Sequence, residues 1–232
     1  MKKLFIIGCP RSGTTWTMML LARHPAVVGC MQVGIVHVLE EFRRWWAIGE
    51  KREELRYMNS VVVFPGDGAQ GKPAFAGLFD EAGFYDYCRA VADELYTRAL
   101  VHKPGASIIT DKTPENIRSA SFLNRVYPDA AYLHVIRDPR SVVSSLRHGA
   151  EDFGGKWPRN ALDGACYWRD DLLRGRAFAD ATGPYREVRY EVMLQHGVAE
   201  LSGLLQWLDL PADPAWVAAA VEASSMKEMK AV

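Results

Sequence analysis

Three groups of residues stand at spacings suited to handling an anion. The first lies in Leu4–Trp16, LFIIGCPRSGTTW, where four residues separate Gly8 from Gly13. Glycines so placed turn a chain tightly, and Thr14 and Thr15 can cap and open a helix that Trp16 continues. Backbone N–H groups then converge where the helix dipole favours negative charge. A nucleoside-triphosphate loop of this spacing continues with Lys and then Ser or Thr. Here Thr14 stands where that Lys belongs, and Arg11 supplies the positive charge. The expectation is a phosphate-like group held by Arg11 and the backbone of Ser12, Gly13, Thr14 and Thr15, rather than ATP with magnesium. The second group is Arg137, leaving an apolar run, with Ser145 about two helical turns further on. Their side chains can face one anion, although a local pair of Arg137 with Asp138 and a buried cap at Ser145 are the alternatives. The third is Lys112, in Asp111-Lys112-Thr113-Pro114. A lysine at a strand end can point its charge into a cleft, or simply pair with Asp111 or Glu115. His37 is the first titratable side chain after the first helix–strand unit. It is a candidate general base, set against a helix-face histidine without a catalytic role, and Glu40 and Glu41 follow it.

These residues need a frame. Leu4–Ile7, Val27–Met31, Ser107–Thr110, Ala131–Ile136 and Arg186–Tyr190 read as strands. Helical patterns cover Val36–Ile48, Phe79–His102, Glu115–Tyr127, Ser141–Leu146, Leu162–Ala181, Val198–Leu208 and Pro214–Ala223. Phe64–Pro73, FPGDGAQGKP, reads as a loop able to act as a lid. Strands alternating with helices predict an α/β fold of three layers, a mostly parallel central sheet flanked by helices, over one domain spanning residues 1–232. Ligands in such folds lie beyond the carboxyl ends of the strands, so the three polar tails should meet in one cleft.

PRSGTTW resembles the phosphosulfate-binding loop of sulfotransferases that use 3′-phosphoadenosine 5′-phosphosulfate (PAPS). YLHVIRDPRSVVSSL is similar to their 3′-phosphate-binding stretch, and Arg189-Tyr190-Glu191 to a segment whose aromatic residue lies near the adenosine. The resemblance implies a P-loop-type fold, PAPS as donor, its product PAP (adenosine 3′,5′-bisphosphate), and transfer without a metal. It implies Arg11 and Lys112 at the sulfuryl group, and Arg137 and Ser145 at the 3′-phosphate. It also implies Trp16 and Tyr190 beside the nucleoside, both of which can equally be core residues. Ser224, Ser225 and Met226 resemble the stretch that closes over the nucleotide. The family continues from there into a basic RKGxxG motif, whereas this sequence stops at Val232, as expected of a chain truncated there or lacking that clamp. The His that cytosolic members carry two residues after the lysine is Pro114 here. The Glu that other branches place after the first helix is replaced by Met31, Gln32 and Val33. A nucleotide kinase and a nucleotide-binding protein without catalysis are the rival readings.

Composition narrows the partners. Lys plus Arg and Asp plus Glu are 28 each, and this neutral balance does not favour nucleic acid. The four cysteines are scattered, no apolar run reaches the length of a membrane span, and the first one ends at Gly8. The expectation is a cytoplasmic protein acting on a small-molecule or glycan acceptor through a hydroxyl or amine, apart from membranes. Trp45, Trp46, Phe75, Phe79, Phe84 and Tyr85 could line its pocket or fill the core.

Overall fold

A computed structural model describes residues 1–51, 62–63, 72–73, 80–149, 157–179 and 183–224. Most of the FPGDGAQGKP stretch, together with Phe75, Phe79, Ser225 and Met226, lies outside the described residues. The chain runs β1 (Lys2–Ile7), α1 (Thr14–Ala22), β2 (Val27–Met31) and α2 (Ile35–Lys51). Two short strands, β3 (Val62–Val63) and β4 (Lys72–Pro73), pair antiparallel. Then come α3 (Glu81–Ala99), β5 (Ile108–Lys112), a 3-10 turn over Pro114–Arg118, α4 (Ala120–Val126), β6 (Ala131–Ile136) and α5 (Pro139–Gly149). The chain continues with α6 (Ala161–Ala179), β7 (Tyr185–Arg189), α7 (Tyr190–Gln195), α8 (Gly197–Trp207) and α9 (Pro214–Ala223).

The main sheet has five parallel strands in the order β2-β5-β1-β6-β7. β1 lies at its centre, so its apolar run is buried on both faces and its side chains divide between two cores. Leu4 and Ile6 point to one face, against Trp16 and Leu20 of α1, Leu201 and Leu204 of α8 and Val217 of α9. Phe5 and Ile7 point to the other, against α2, Phe84 and Tyr96 of α3, and Phe178 of α6. That alternation is the period of two expected of a strand. The next strand in sequence lies to one side of β1 and β6 lies to the other, so the carboxyl end of β1 marks the point where ligands settle in open α/β sheets.

Two elements differ from their sequence pattern. β5 continues through Asp111 and Lys112 instead of stopping at Thr110, and both residues are buried. The Asp111 carboxylate is satisfied there by the Tyr96 hydroxyl at 2.6 Å and the Thr113 hydroxyl at 2.7 Å, so a polar residue can extend a buried strand. The helix expected over Glu115–Tyr127 breaks at Ser119, whose hydroxyl donates to Glu40 Oε2 at 2.6 Å and whose N–H closes a turn onto Asn116. Of the six aromatics considered for an acceptor pocket, Trp46 and Phe84 stack in the core at 4.6 Å, while Trp45 is exposed.

A buried titratable group gives the fold a pH response. His134 on β6 is buried, its Nδ1 lies 2.7 Å from the Tyr185 hydroxyl, and the ring fills the space left by Gly175. Burial pushes its pKa down to about 4, with Glu187 opposing the shift. Above pH ~6.5 the ring is neutral in both folded and unfolded chains and contributes nothing. As pH falls through ~6.5 the unfolded chain takes the proton first, so stability declines, by about 2–3 kcal/mol by pH 4. Urea midpoints measured between pH 7.5 and 4.5 should fall more steeply for the wild type than for His134→Asn. Parallel slopes would remove His134 from the acid response.

Candidate active site

The loop between β1 and α1 hugs the next strand. At Gly8 a Cβ would meet the Val135 carbonyl oxygen at 2.6 Å, so only glycine lets the chain leave β1 this close to β6. Ser12 N–H then bonds the Cys9 carbonyl at 3.1 Å, and Arg11 and Gly13 adopt left-handed backbone at φ 72° and 93°. Gly13 caps α1 with no side-chain hydrogen bond. The N–H groups of Gly13, Thr14 and Thr15 find no acceptor among the described residues, which leaves a nest of donors at the start of a nine-residue helix. Ser12 Oγ is also buried without a partner among the described residues.

Three cations from three strand ends face this nest. Arg11 donates through Nε to Ser145 Oγ at 2.8 Å, and its guanidinium lies 5.7 Å from the Trp157 ring centre. Arg137, just past β6, donates to the Arg11 carbonyl at 3.0 Å and stacks 4.8 Å over the Tyr190 ring. Its own carbonyl accepts from the Trp168 indole at 3.1 Å. Asp138 pairs with Arg140, which leaves the Arg137 guanidinium clear of it. Lys112 comes from β5 and is only 2% exposed. Its carbonyl accepts from the Gln32 N–H at 3.0 Å, and its ammonium makes no hydrogen bond or ion pair among the described residues. Burial pushes its pKa down, against the attraction of Glu115 and Asp111. A buried ammonium without a partner is costly, and an anion in the cleft would relieve that cost.

These groups line a cleft of about 260 Å³ that also includes Gln32, Pro114 and Glu115. A larger cavity of about 390 Å³ opens beside Met1, Arg89 and Tyr127. Its cations are already committed, Lys2 to Asp209 at 3.2 Å, Lys3 to Asp93 at 2.8 Å and Arg89 to the Val126 carbonyl at 2.6 Å. The smaller cleft holds the Lys112 ammonium, which has no hydrogen-bond or ion-pair partner among the described residues, and two arginines paired with no carboxylate there, so it is the candidate site.

The cleft thus brings together Arg11, Gly13, Thr14, Thr15, Trp16, Lys112, Arg137, Ser145 and Tyr190. Tyr190 opens α7 instead of ending β7, and its ring occupies the place where a Gly13 Cβ would sit, 2.2 Å from Cδ2. Trp16 is buried edge-on to Tyr190 at 5.7 Å and donates to the Ser224 carbonyl at 2.8 Å. Ser224 stands apart from the cleft lining. Its Oγ accepts from Arg23 at 2.6 Å and donates to the Ala220 carbonyl at 2.8 Å, closing α9. His37 is exposed on α2 and outside the cleft lining. Sequence reasoning passed over Trp157, Gln32 and Glu115 as site residues. Glu115 stands three positions after Lys112, and that spacing was its only signal.

With this geometry established, comparison with known proteins is decisive for the family. Residues 3–214 match the model of the Sulfotransferase family. The chain belongs to the sulfotransferase family. Among relatives, protein-tyrosine sulfotransferase 1 of Danio rerio is 23% identical over 214 residues, covering 91% of this chain and 54% of the relative. The nodulation protein NoeE of Sinorhizobium fredii is 24% identical over 143 residues, covering 62% and 30%. Protein-tyrosine sulfotransferase 2 of Gallus gallus is 28% identical over 148 residues, covering 63% and 34%. This sulfotransferase chain therefore spans about a third to a half of the curated relatives it matches. A mouse sulfotransferase complexed with PAP superimposes with a TM-score of 0.56 at 16% identity, over all of this chain and 66% of the other. A Mycobacterium tuberculosis sulfotransferase gives 0.57 at 15%, over 97% and 71%. Both share the fold. No helix among the described residues is long and apolar enough to cross a membrane.

Lys112 yields a direct test of the site's electrostatics. Lys112→Met should stabilise the ligand-free protein by about 1 kcal/mol, because it removes a buried charge without a partner. The same variant should weaken protection by PAP. Thermal midpoints with and without PAP measure both, and a loss of stability without PAP would show that the ammonium is already compensated.

Proposed function

We propose that this sulfotransferase-family chain moves a sulfuryl group from PAPS to a hydroxyl or amine. The observation that carries the reading is the buried Lys112, without a partner among the described residues and facing a nest of backbone donors beside Arg11 and Arg137. The cleft suits a doubly anionic ligand. The loop amides with Arg11 and Lys112 would hold the phosphosulfate end, and Arg137 with Ser145 the 3′-phosphate. Tyr190 and Trp16 offer ring surface on the nucleoside side. PAPS, when bound, supplies an activated sulfuryl group.

The protein supplies the electrostatics of the transfer. Negative charge builds on the phosphate oxygen that leaves, and fixed cations aimed at it lower the barrier without reorganising. Arg11 is suited to this because Ser145 and Trp157 hold its guanidinium in place. Lys112 is suited because its ammonium is poorly solvated, and such a charge acts strongly on a nearby anion. The catalytic roles of Arg11 and Lys112, and a small-molecule or glycan acceptor, belong to this proposal. His37 is not included, since it lies outside the cleft.

Two measurements test the reading. Arg137→Ala should weaken PAP far more than AMP, by about 2–4 kcal/mol for a lost charge-assisted contact. Equal weakening of both nucleotides would remove Arg137 from the 3′-phosphate. Transfer from PAPS should survive EDTA, and Arg11→Ala should lower kcat by about 10²–10³, the size expected for one preorganised charge-stabilising donor. Arg11→Lys should retain much of the rate, since it keeps the charge and loses only the fork. Activity with ATP that requires magnesium would instead favour the kinase reading.

A further inference from the structure

We propose that Glu115 is the general base, receiving the proton of the acceptor hydroxyl or amine as the sulfuryl group is transferred. The inference rests on the sulfotransferase reading above. Neither base found in related branches is available, because Pro114 occupies one position and Met31, Gln32 and Val33 surround the other. Gln32 does line the cleft, held beside Lys112 by a 3.0 Å hydrogen bond from its N–H to the Lys112 carbonyl. Its amide can orient a hydroxyl but cannot take up a proton at neutral pH.

The neighbouring carboxylates are already engaged. Asp111 accepts from Tyr96 and Thr113, Asp138 from Arg140, Glu191 from the Asp138 N–H, and Glu40 from Ser119. Glu115 is half-buried and lines the cleft, and its carboxylate makes no hydrogen bond or ion pair among the described residues. Pro114 starts the 3-10 turn that carries it, immediately after Lys112 and Thr113. One short segment thus offers a cation for the leaving side and a carboxylate for the attacking side. The attraction between Glu115 and Lys112 supports the charged form of the lysine.

The acceptor O–H or N–H bond breaks and its proton passes to the Glu115 carboxylate. The electron pair left on that atom forms the new bond to sulfur. The bond from sulfur to the bridging phosphate oxygen breaks, and its pair leaves with the 5′-phosphate of PAP. Glu115 then returns its proton to water.

The experiment compares wild type with Glu115→Gln at pH 8.5, using PAPS and two phenols of opposite demand. Phenol, with a pKa of about 10, needs a base. 4-Nitrophenol is already ionised at this pH and does not. Glu115→Gln should cut kcat with phenol by about 10²–10⁴ and with 4-nitrophenol by less than about tenfold. PAP binding, measured by calorimetry, should be retained. Absorbance of 4-nitrophenol in its dead-end complex with PAP and protein should show a lower apparent pKa for the bound phenol in Glu115→Gln, because a negative neighbour has gone. Equal losses with both phenols, no loss with either, or an unshifted bound phenol overturn the assignment while the transferase reading stands. Wild type that sulfates neither phenol overturns the reading for phenolic acceptors and this inference with it.

Discussion

The contact on which the site depends is the Tyr190 ring pressed against Gly13. A side chain at position 13 would collide with that ring, and the left-handed backbone there also favours glycine. The ring fixes the end of the anion loop from one side, carries the Arg137 guanidinium on its face, and meets the edge of Trp16. Residues from the β1 loop, β6 and α7 are therefore set by one packing arrangement. Packing within the chain thus gives the loop its shape, and charges fixed in this way need little reorganisation to act on an anion.

Much of this was legible in the sequence because apolar runs identify buried parallel strands. Leu4–Ile7 and Ala131–Ile136 have no polar residue except His134, and each ends in a motif that carries charge. The extension of β5 was not legible, since Asp111 and Lys112 read as solvent-facing until Tyr96 and Thr113 are seen to satisfy the aspartate. The resemblance implies Tyr190 near the nucleoside, but its contact with Gly13 depends on two segments that sequence alone does not bring together. The resemblance implies a nucleotide contact for Ser224, and in the structure Arg23, Trp16 and Ala220 bond its polar groups.

The charges of the cleft follow a simple division. Arg11 and Arg137 have their guanidinium planes held by neighbouring rings and hydrogen bonds, so their directions are set. Lys112 has burial but no fixed partner among the described residues. The arginines suit recognition of shape, and the lysine suits a response to charge that moves during reaction. A neutral whole-chain balance is compatible with this, because the positive field is local to the ends of β1, β5 and β6.

The solitary ammonium of Lys112 also bears on how long the protein survives in a cell. A buried ammonium without a hydrogen-bond partner, attracted by Glu115 and Asp111 but desolvated, lowers the stability of the chain, and a ligand that binds only the native state offsets that loss by mass action. Proteases act on the transiently opened population, which grows as stability falls. When nucleotide is scarce, empty copies should therefore be cleared faster than filled ones. If the cleft takes PAPS as proposed, the steady amount of this protein would follow the supply of that nucleotide, a form of housekeeping that requires no regulator beyond one buried side chain.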